Sequence, residues 1–213
     1  MKLLLAPLVL IMLTTGCSAP TNPPTGGTPA GSEIASPEAT PTVLPVAKFE
    51  LKTQSGAKIE FELPTPVTEP ALAKLEAYRK KTGGKPVTYV VADVDNRNGT
   101  EVVNMSQINA FDREGREYTF SAVRQAIEMW KPTYRNDFEY KAPDGRVLDH
   151  ATGSALNDEG SELYNANLND AGVAGRAKII LASTDVDLPT EFTRVSVQPS
   201  KEGSGEDAIP VQG

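Results

Sequence analysis

Few side chains in this chain could carry covalent or metal chemistry, and they lie far apart. There is one cysteine, Cys17, and one histidine, His150. A zinc site built from several imidazoles or thiolates is therefore excluded. A serine–histidine–acid relay would have to use His150. Its sequence neighbour Asp149 would point elsewhere, and no serine sits in a Gly-x-Ser-x-Gly turn. Asp93 with Asp95, and Asp185 with Asp187, lie two residues apart on one strand face. A calcium loop beginning at Asp93 would need Gly at its sixth position and Glu at its twelfth, where Asn98 and Asn104 stand. No phosphate loop or dinucleotide fingerprint is present. These residues predict a noncatalytic protein with no metal and no cofactor.

Cys17 has one remaining chemistry. It follows Lys2, eleven apolar residues from Leu3 to Leu13, and then Thr14, Thr15 and Gly16. A membrane-spanning helix needs about 20 apolar residues, so this segment reads as an export signal rather than a span. It resembles the lipobox of bacterial lipoproteins, with Gly16 and Cys17 at its last two positions and Thr14 where that motif carries a large aliphatic residue. The resemblance implies cleavage before Cys17 and a diacylglyceryl group on its sulfur. The domain order that follows is a signal peptide over 1–16, then lipidated Cys17 and a tether over 17–47. Two acyl chains make a stable anchor, where one is marginal. The expected location is the extracytoplasmic face of the cell membrane, with the bilayer as a partner through Cys17.

Residues 18–47 cannot form a core. Pro, Gly, Ser and Thr make up 18 of these 30 positions, and the only charges are Glu33 and Glu38. Such a segment is expected to stay disordered, as a linker. Residues 1–16 contribute a single charge, Lys2, so their removal takes the formal net charge from -7 to -8. An acidic exported chain argues against nucleic acid as a partner. With no second cysteine, the fold must rest on its core rather than on disulfides.

The elements beyond the tether read mainly as strands. Lys48 to Thr53 and Lys58 to Leu63 alternate polar and apolar residues, placing Phe49, Leu51, Ile59, Phe61 and Leu63 on one buried face of a hairpin. Leu72, Leu75 and Tyr78 form an apolar helical stripe, with Arg79, Lys80 and Lys81 in the last turn and Gly83 and Gly84 beyond it. Val87 to Val94 is a long β-prone run. The Asn96-Arg97-Asn98-Gly99 turn is expected to fold Val102–Phe111 back onto it. Asp112 to Gly115 is a second turn before a strand at Arg116–Phe120, followed by a short helix ending at Trp130. Phe138–Tyr140 and Arg146–Leu148 read as a small hairpin around Pro143-Asp144-Gly145. Asn157–Asn169 is polar, with at most one helical turn near Leu163. Ala177–Ala182 and Phe192–Val197 are the last strands, and 199–213 reads as a disordered tail.

This order predicts a mainly β fold: an antiparallel β-sandwich over 48–198 with two short helical inserts, preceded by the disordered tether and interrupted by an insert over 121–175. Val90–Asn96, then Ile108–Tyr118, then Ala171–Leu181 are similar in order to the immunoglobulin-like domain of bacterial surface lipoproteins of uncharacterised function. The resemblance covers roughly 86–198 and implies a noncatalytic surface module. The chain departs from it where 121–175 exceeds the family's usual connection. Trp130, Tyr134, Phe138, Tyr140 and Tyr164 concentrate in that insert, and aromatic residues are enriched at binding hot spots. They are the candidate binding residues, facing an envelope protein, a cell-wall polymer or a small ligand. The alternatives are an envelope-active hydrolase using loop carboxylates, or a solute- or ion-binding lipoprotein.

Overall fold

The computed structural model describes residues 44–45, 47–136, 138–200 and 203–211. The leader, Cys17 and all of the tether except Leu44, Pro45 and Ala47 lie outside the described residues. Leu44 and Pro45 pair with Phe192 and Glu191, so pairing begins before Lys48.

Alternating side chains produce the first hairpin. β1 (Lys48–Lys52) runs antiparallel to β2 (Lys58–Glu62), with Phe49 opposite Phe61 and Leu51 opposite Ile59. All five expected apolar residues are buried, and Phe49 stacks on Phe61 with ring centres 5.6 Å apart. Each such side chain contributes about 1.5–3 kcal/mol on burial. On the polar face, Lys58 pairs with both Glu50 and Glu60.

Leu72, Leu75 and Tyr78 are the buried stripe of α1 (Ala73–Thr82) and the 3₁₀ turn before it, and Gly83 ends the helix at φ 71°. β3 (Thr88–Asp95), β4 (Gln107–Phe111), β5 (Glu117–Ala122) and α2 (Arg124–Trp130) follow. Next come β6 (Thr133–Asn136), β7 (Glu139–Lys141), β8 (Val147–Asp149), α3 (His150–Ala166), β9 (Arg176–Ser183) and β10 (Arg194–Gln198). The last segment, Glu206–Pro210, pairs in two pieces, Glu206–Asp207 and Ile209–Pro210.

The fold is mainly β and antiparallel. In the large sheet the order is Glu206–Asp207, β10, β4, β5, β9, β3, β2, β1, Ile209–Pro210. Its two ends are consecutive pieces of one segment. The sheet therefore nearly closes on itself, joining along one seam the layers that an immunoglobulin-like sandwich keeps as separate sheets. Its interior is the main core, which includes Phe49, Ile59, Val90, Ile108, Phe120, Leu181, Phe192 and Val195. A second core lies outside β3 and β9, where Tyr89, Val91 and Ile180 meet Leu72, Leu75, Tyr78, Ile127 and Trp130. Where the second core covers them, at Tyr89–Ala92 and Ile179–Ala182, β3 and β9 read as continuous apolar runs; beyond it Asp93 and Lys178 face solvent.

Three expectations are corrected. First, β3 pairs with β9 and β2 rather than with the 102–111 strand. The expected hairpin turn is a corner pinned by Asn96. Its Nδ2 donates to the carbonyls of Glu101, Ala171 and Gly172 at 2.9–3.1 Å, and its backbone N–H donates to Gly175. Second, the expected tail is not all tail. The Ala208 N–H donates to Val195 O at 2.8 Å, and the Val211 N–H to Lys48 O at 2.8 Å. Third, a third helix, α3, replaces the polar loop. Its buried residues are Gly153, Leu156 and Gly160, so it lacks an apolar stripe and carries two poor helix formers. Tertiary contacts compensate. Tyr140 fills the space a Cβ at Gly153 would take, and the Tyr78 hydroxyl, which donates to Leu156 O at 3.0 Å, fills it at Gly160. Asp149 caps the helix by accepting from the Thr152 N–H.

Candidate binding surface

The five candidate aromatics do not converge. Trp130 is 1% exposed and belongs to the second core, its Nε1 donating to Lys85 O at 3.1 Å. Gly84 packs against the indole where a side chain would collide. Trp130 is thus a core residue and is withdrawn from the binding set. Its sequence signal, an aromatic on the apolar face of a short helix, is the same for a core as for a contact site.

Tyr134, Phe138 and Tyr140 stay together. β6, β7 and β8 form a separate three-stranded sheet in which Tyr134 lies opposite Tyr140 and Tyr140 opposite Leu148. The Tyr140 ring meets Tyr134 edge-on at 5.1 Å and His150 at 5.8 Å. Tyr140 is the anchored member, held against α3 by the missing side chain of Gly153. Tyr134 is 56% exposed, Val147 52%, and Phe138, in the turn from β6 to β7, 78%. Asn136 Oδ1 accepts from the Phe138 N–H at 3.0 Å and shapes that turn. In this small sheet Phe138 at the turn and Tyr134 beside Tyr140 are exposed, while Val147, paired with Lys141 at the other end, is exposed on the opposite face.

Tyr164 sits elsewhere. The Arg124 guanidinium lies 3.8 Å from its ring centre and Lys131 Nζ 5.6 Å from it, as cation–π contacts. The residue is half-buried against the second core. Its part is to join α3 to α2.

Most of the other chemistry-bearing residues described have structural partners. His150 is the exposed first residue of α3, and Asp149 engages Thr152 rather than the imidazole. Asp93 pairs with Lys178 at 2.9 Å. Asp95 pairs with Arg97 and Arg176, and the hydrogen bonds from Arg97 hold its carboxyl well below the usual range. Asp185 pairs with Arg116 at 3.3 Å. A recess of about 490 Å³ over Asp93, Asp95, Arg176 and Lys178 is lined by these mutually paired charges. Among the described residues, no group of three or more His, Cys, Asp or Glu side chains is placed to hold a metal.

One polar cluster was not legible in sequence. Glu76 accepts from Arg79 Nε at 2.9 Å, Arg79 Nη2 at 2.8 Å and the Tyr89 hydroxyl at 2.8 Å. Arg79 Nη1 also donates to Gly84 O. The Arg79 hydrogen bonds pull the Glu76 carboxyl below its ordinary value, while burial and then the Glu76 contact push the Tyr89 phenol up. The cluster ties α1 to β3. Arg79, which shares the basic last turn of α1 with Lys80 and Lys81, is therefore turned inward.

The class so defined is a mainly β domain with one nearly closed antiparallel sheet, a helical layer outside it and a small aromatic sheet on α3. No protein-family model, curated protein or solved structure matches the chain.

Proposed function

We propose that this chain is a lipid-anchored lipoprotein of the cell envelope, held at the extracytoplasmic face through diacylglyceryl-Cys17. Its β domain serves as a noncatalytic binding module for an envelope protein or cell-wall polymer. The observation supporting the contact surface is the solvent exposure of Phe138 and Tyr134 on a sheet whose central tyrosine packs against α3. Aromatic side chains present a large contact area with few rotatable bonds. The surface shrinks relative to the five aromatics of the sequence, losing Trp130 to the core and Tyr164 to the α2–α3 junction.

Affinity capture from detergent-solubilised membranes tests this reading. A Tyr134→Ala plus Phe138→Ala chain should fold normally, since both side chains are more exposed than buried, and should lose partners that the unsubstituted chain retains. Identical partner sets would refute it.

A further inference from the structure

A second recess lies where β5 and β9 part. The two strands pair only at Ser121–Ala182 and Ala122–Leu181. Beyond Ser183 the chain turns away, and this turn is held in place. The Asp185 N–H donates to Ser183 Oγ at 3.2 Å, and Thr88 Oγ1 donates to Asp185 O at 2.8 Å. α2 forms the remaining wall with Gln125, Ala126 and Met129. The recess so enclosed measures about 210 Å³, and its polar lining is Thr119, Ser121, Gln125, Ser183, Thr184 and Asp185.

Most of that lining is unspent. Among the described residues, the side chains of Thr119, Ser121, Gln125 and Thr184 have no hydrogen-bond partner in the protein. Tyr118 and Phe120 face the main core, so the alternation of β5 turns Thr119 and Ser121 outward, where both are half-buried. Two polar rows run on from the recess across the sheet. Thr119 lies beside Asn109 and then Ser196, and Ser121 beside Gln107 and then Gln198. Neither row contains a charge across β5, β4 and β10, although 23% of the chain is charged. Asn109 Oδ1 is buried there without a partner.

We propose that the recess binds one ring of a neutral sugar and that the polar rows carry the rest of a short oligosaccharide across β4 and β10. Other ligand classes fit this lining poorly. An anion meets the Asp185 carboxylate, and no cation lines the recess. A cation finds Asp185 already paired with Arg116, and no group of acids is placed to hold it among the described residues. An apolar ligand would strip water from the unpaired side chains and leave them without partners. A sugar hydroxyl both donates and accepts, as Ser, Thr and Gln side chains do, so each group it dehydrates gains a partner. Met129, 55% exposed, offers an apolar edge to the ring carbons. The volume falls below the range of about 300–1,000 Å³ typical of drug-sized ligands, which suits a single ring. The site is independent of the aromatic surface on β6 and β7.

Titration of the isotope-labelled full chain, followed through its backbone amide shifts, tests the site. The probes are glucose, N-acetylglucosamine, maltotriose and chitotriose, with glucuronate as the charged control. Saturable shifts at Thr119, Ser121, Gln125 and Thr184 are expected with at least one neutral sugar. The matching trisaccharide should bind more tightly and extend the shifts to Asn109 and Ser196. Gln125→Ala and Thr119→Val should each weaken that binding about fivefold, the loss of one hydrogen bond. Tyr134→Ala plus Phe138→Ala should leave it unchanged. Both substituted recess side chains lie off the core, and amide shifts preserved elsewhere will show that the variants fold. The absence of saturable shifts with all the neutral sugars would overturn the proposal. So would glucuronate binding more tightly than every neutral probe, or affinity indifferent to both recess substitutions. A trisaccharide that binds no more tightly than its monomer would overturn the part given to the polar rows.

Discussion

Glu76 offers the sharpest test of how α1 is fixed to the sheet. Its side chain is 12% exposed and that of Arg79 16%, and Tyr89 is fully buried. Glu76→Ala removes three hydrogen bonds at once. It leaves the Tyr89 hydroxyl without an acceptor, at about 1–3 kcal/mol, and leaves Arg79 with Gly84 O as its remaining partner. Loss of one member of a buried ion pair costs about 3–5 kcal/mol, and the partial exposure here places the total near the low end, about 3 kcal/mol. Adding Tyr89→Phe removes the orphaned hydroxyl, so the double variant should be more stable than the sum of the two single losses by about 1 kcal/mol. The assay is urea unfolding followed by fluorescence of Trp130, the sole tryptophan and a buried one. The pH dependence has a definite sign. Because the folded pKa of Glu76 is lowered, its contribution is complete above the unfolded value of about 4.3 and is lost as pH falls through the folded value. Below about pH 4.3 a Glu76→Gln chain should therefore show a flatter loss of stability than the unsubstituted chain. Additive losses in the cycle together with equal pH slopes would refute this account.

Further outcomes follow from the same geometry. Gly160→Ala should destabilise despite alanine's better helix propensity, because the new Cβ meets the Tyr78 hydroxyl and the Lys131 side chain; a net loss of about 1–2 kcal/mol is expected in urea, and a gain would be inconsistent with the close approach of α3. Asn96→Ala should cost about 2–4 kcal/mol by stripping donors from three carbonyls, two of them in the 171–172 loop, with faster amide exchange at 170–175; unchanged exchange there would contradict its role as a corner. Cys17→Ser should move the protein from the membrane fraction to the soluble one with altered mobility, and retention in the membrane would overturn the anchor.

Where burial follows a regular period, the fold was readable. The 48–62 hairpin shows strict alternation because one face is dry and the other wet. The α1 stripe is visible because Leu72, Leu75 and Tyr78 share one face of a helix. Partner choice was not readable. The residues of β3 say that much of it is covered on both faces but not that β9 rather than β4 lies beside it; Asn96, whose amide joins the nearby Glu101 carbonyl to those of Ala171 and Gly172 far along the chain, marks the corner where the chain leaves β3. α3 escaped because its buried face is made of absence, two glycines into which Tyr140 and Tyr78 fit. The last segment, Glu206–Pro210, escaped because backbone pairing leaves little side-chain pattern, and a Gly- and Glu-rich segment looks the same paired or free.

The candidate site divided along the same line. Composition and spacing alone located the aromatic residues in the insert and excluded multi-histidine and multi-cysteine metal sites, since these depend only on which residues exist and how they are spaced. Tertiary structure alone decided that Trp130 lies in a core, that Tyr164 supports a cation, and that Tyr134 and Phe138 face solvent. It also decided that the last residues close the sheet. Solvent exposure and strand neighbours are set by segments far apart in the chain meeting in space, and no local pattern of residues carries that information.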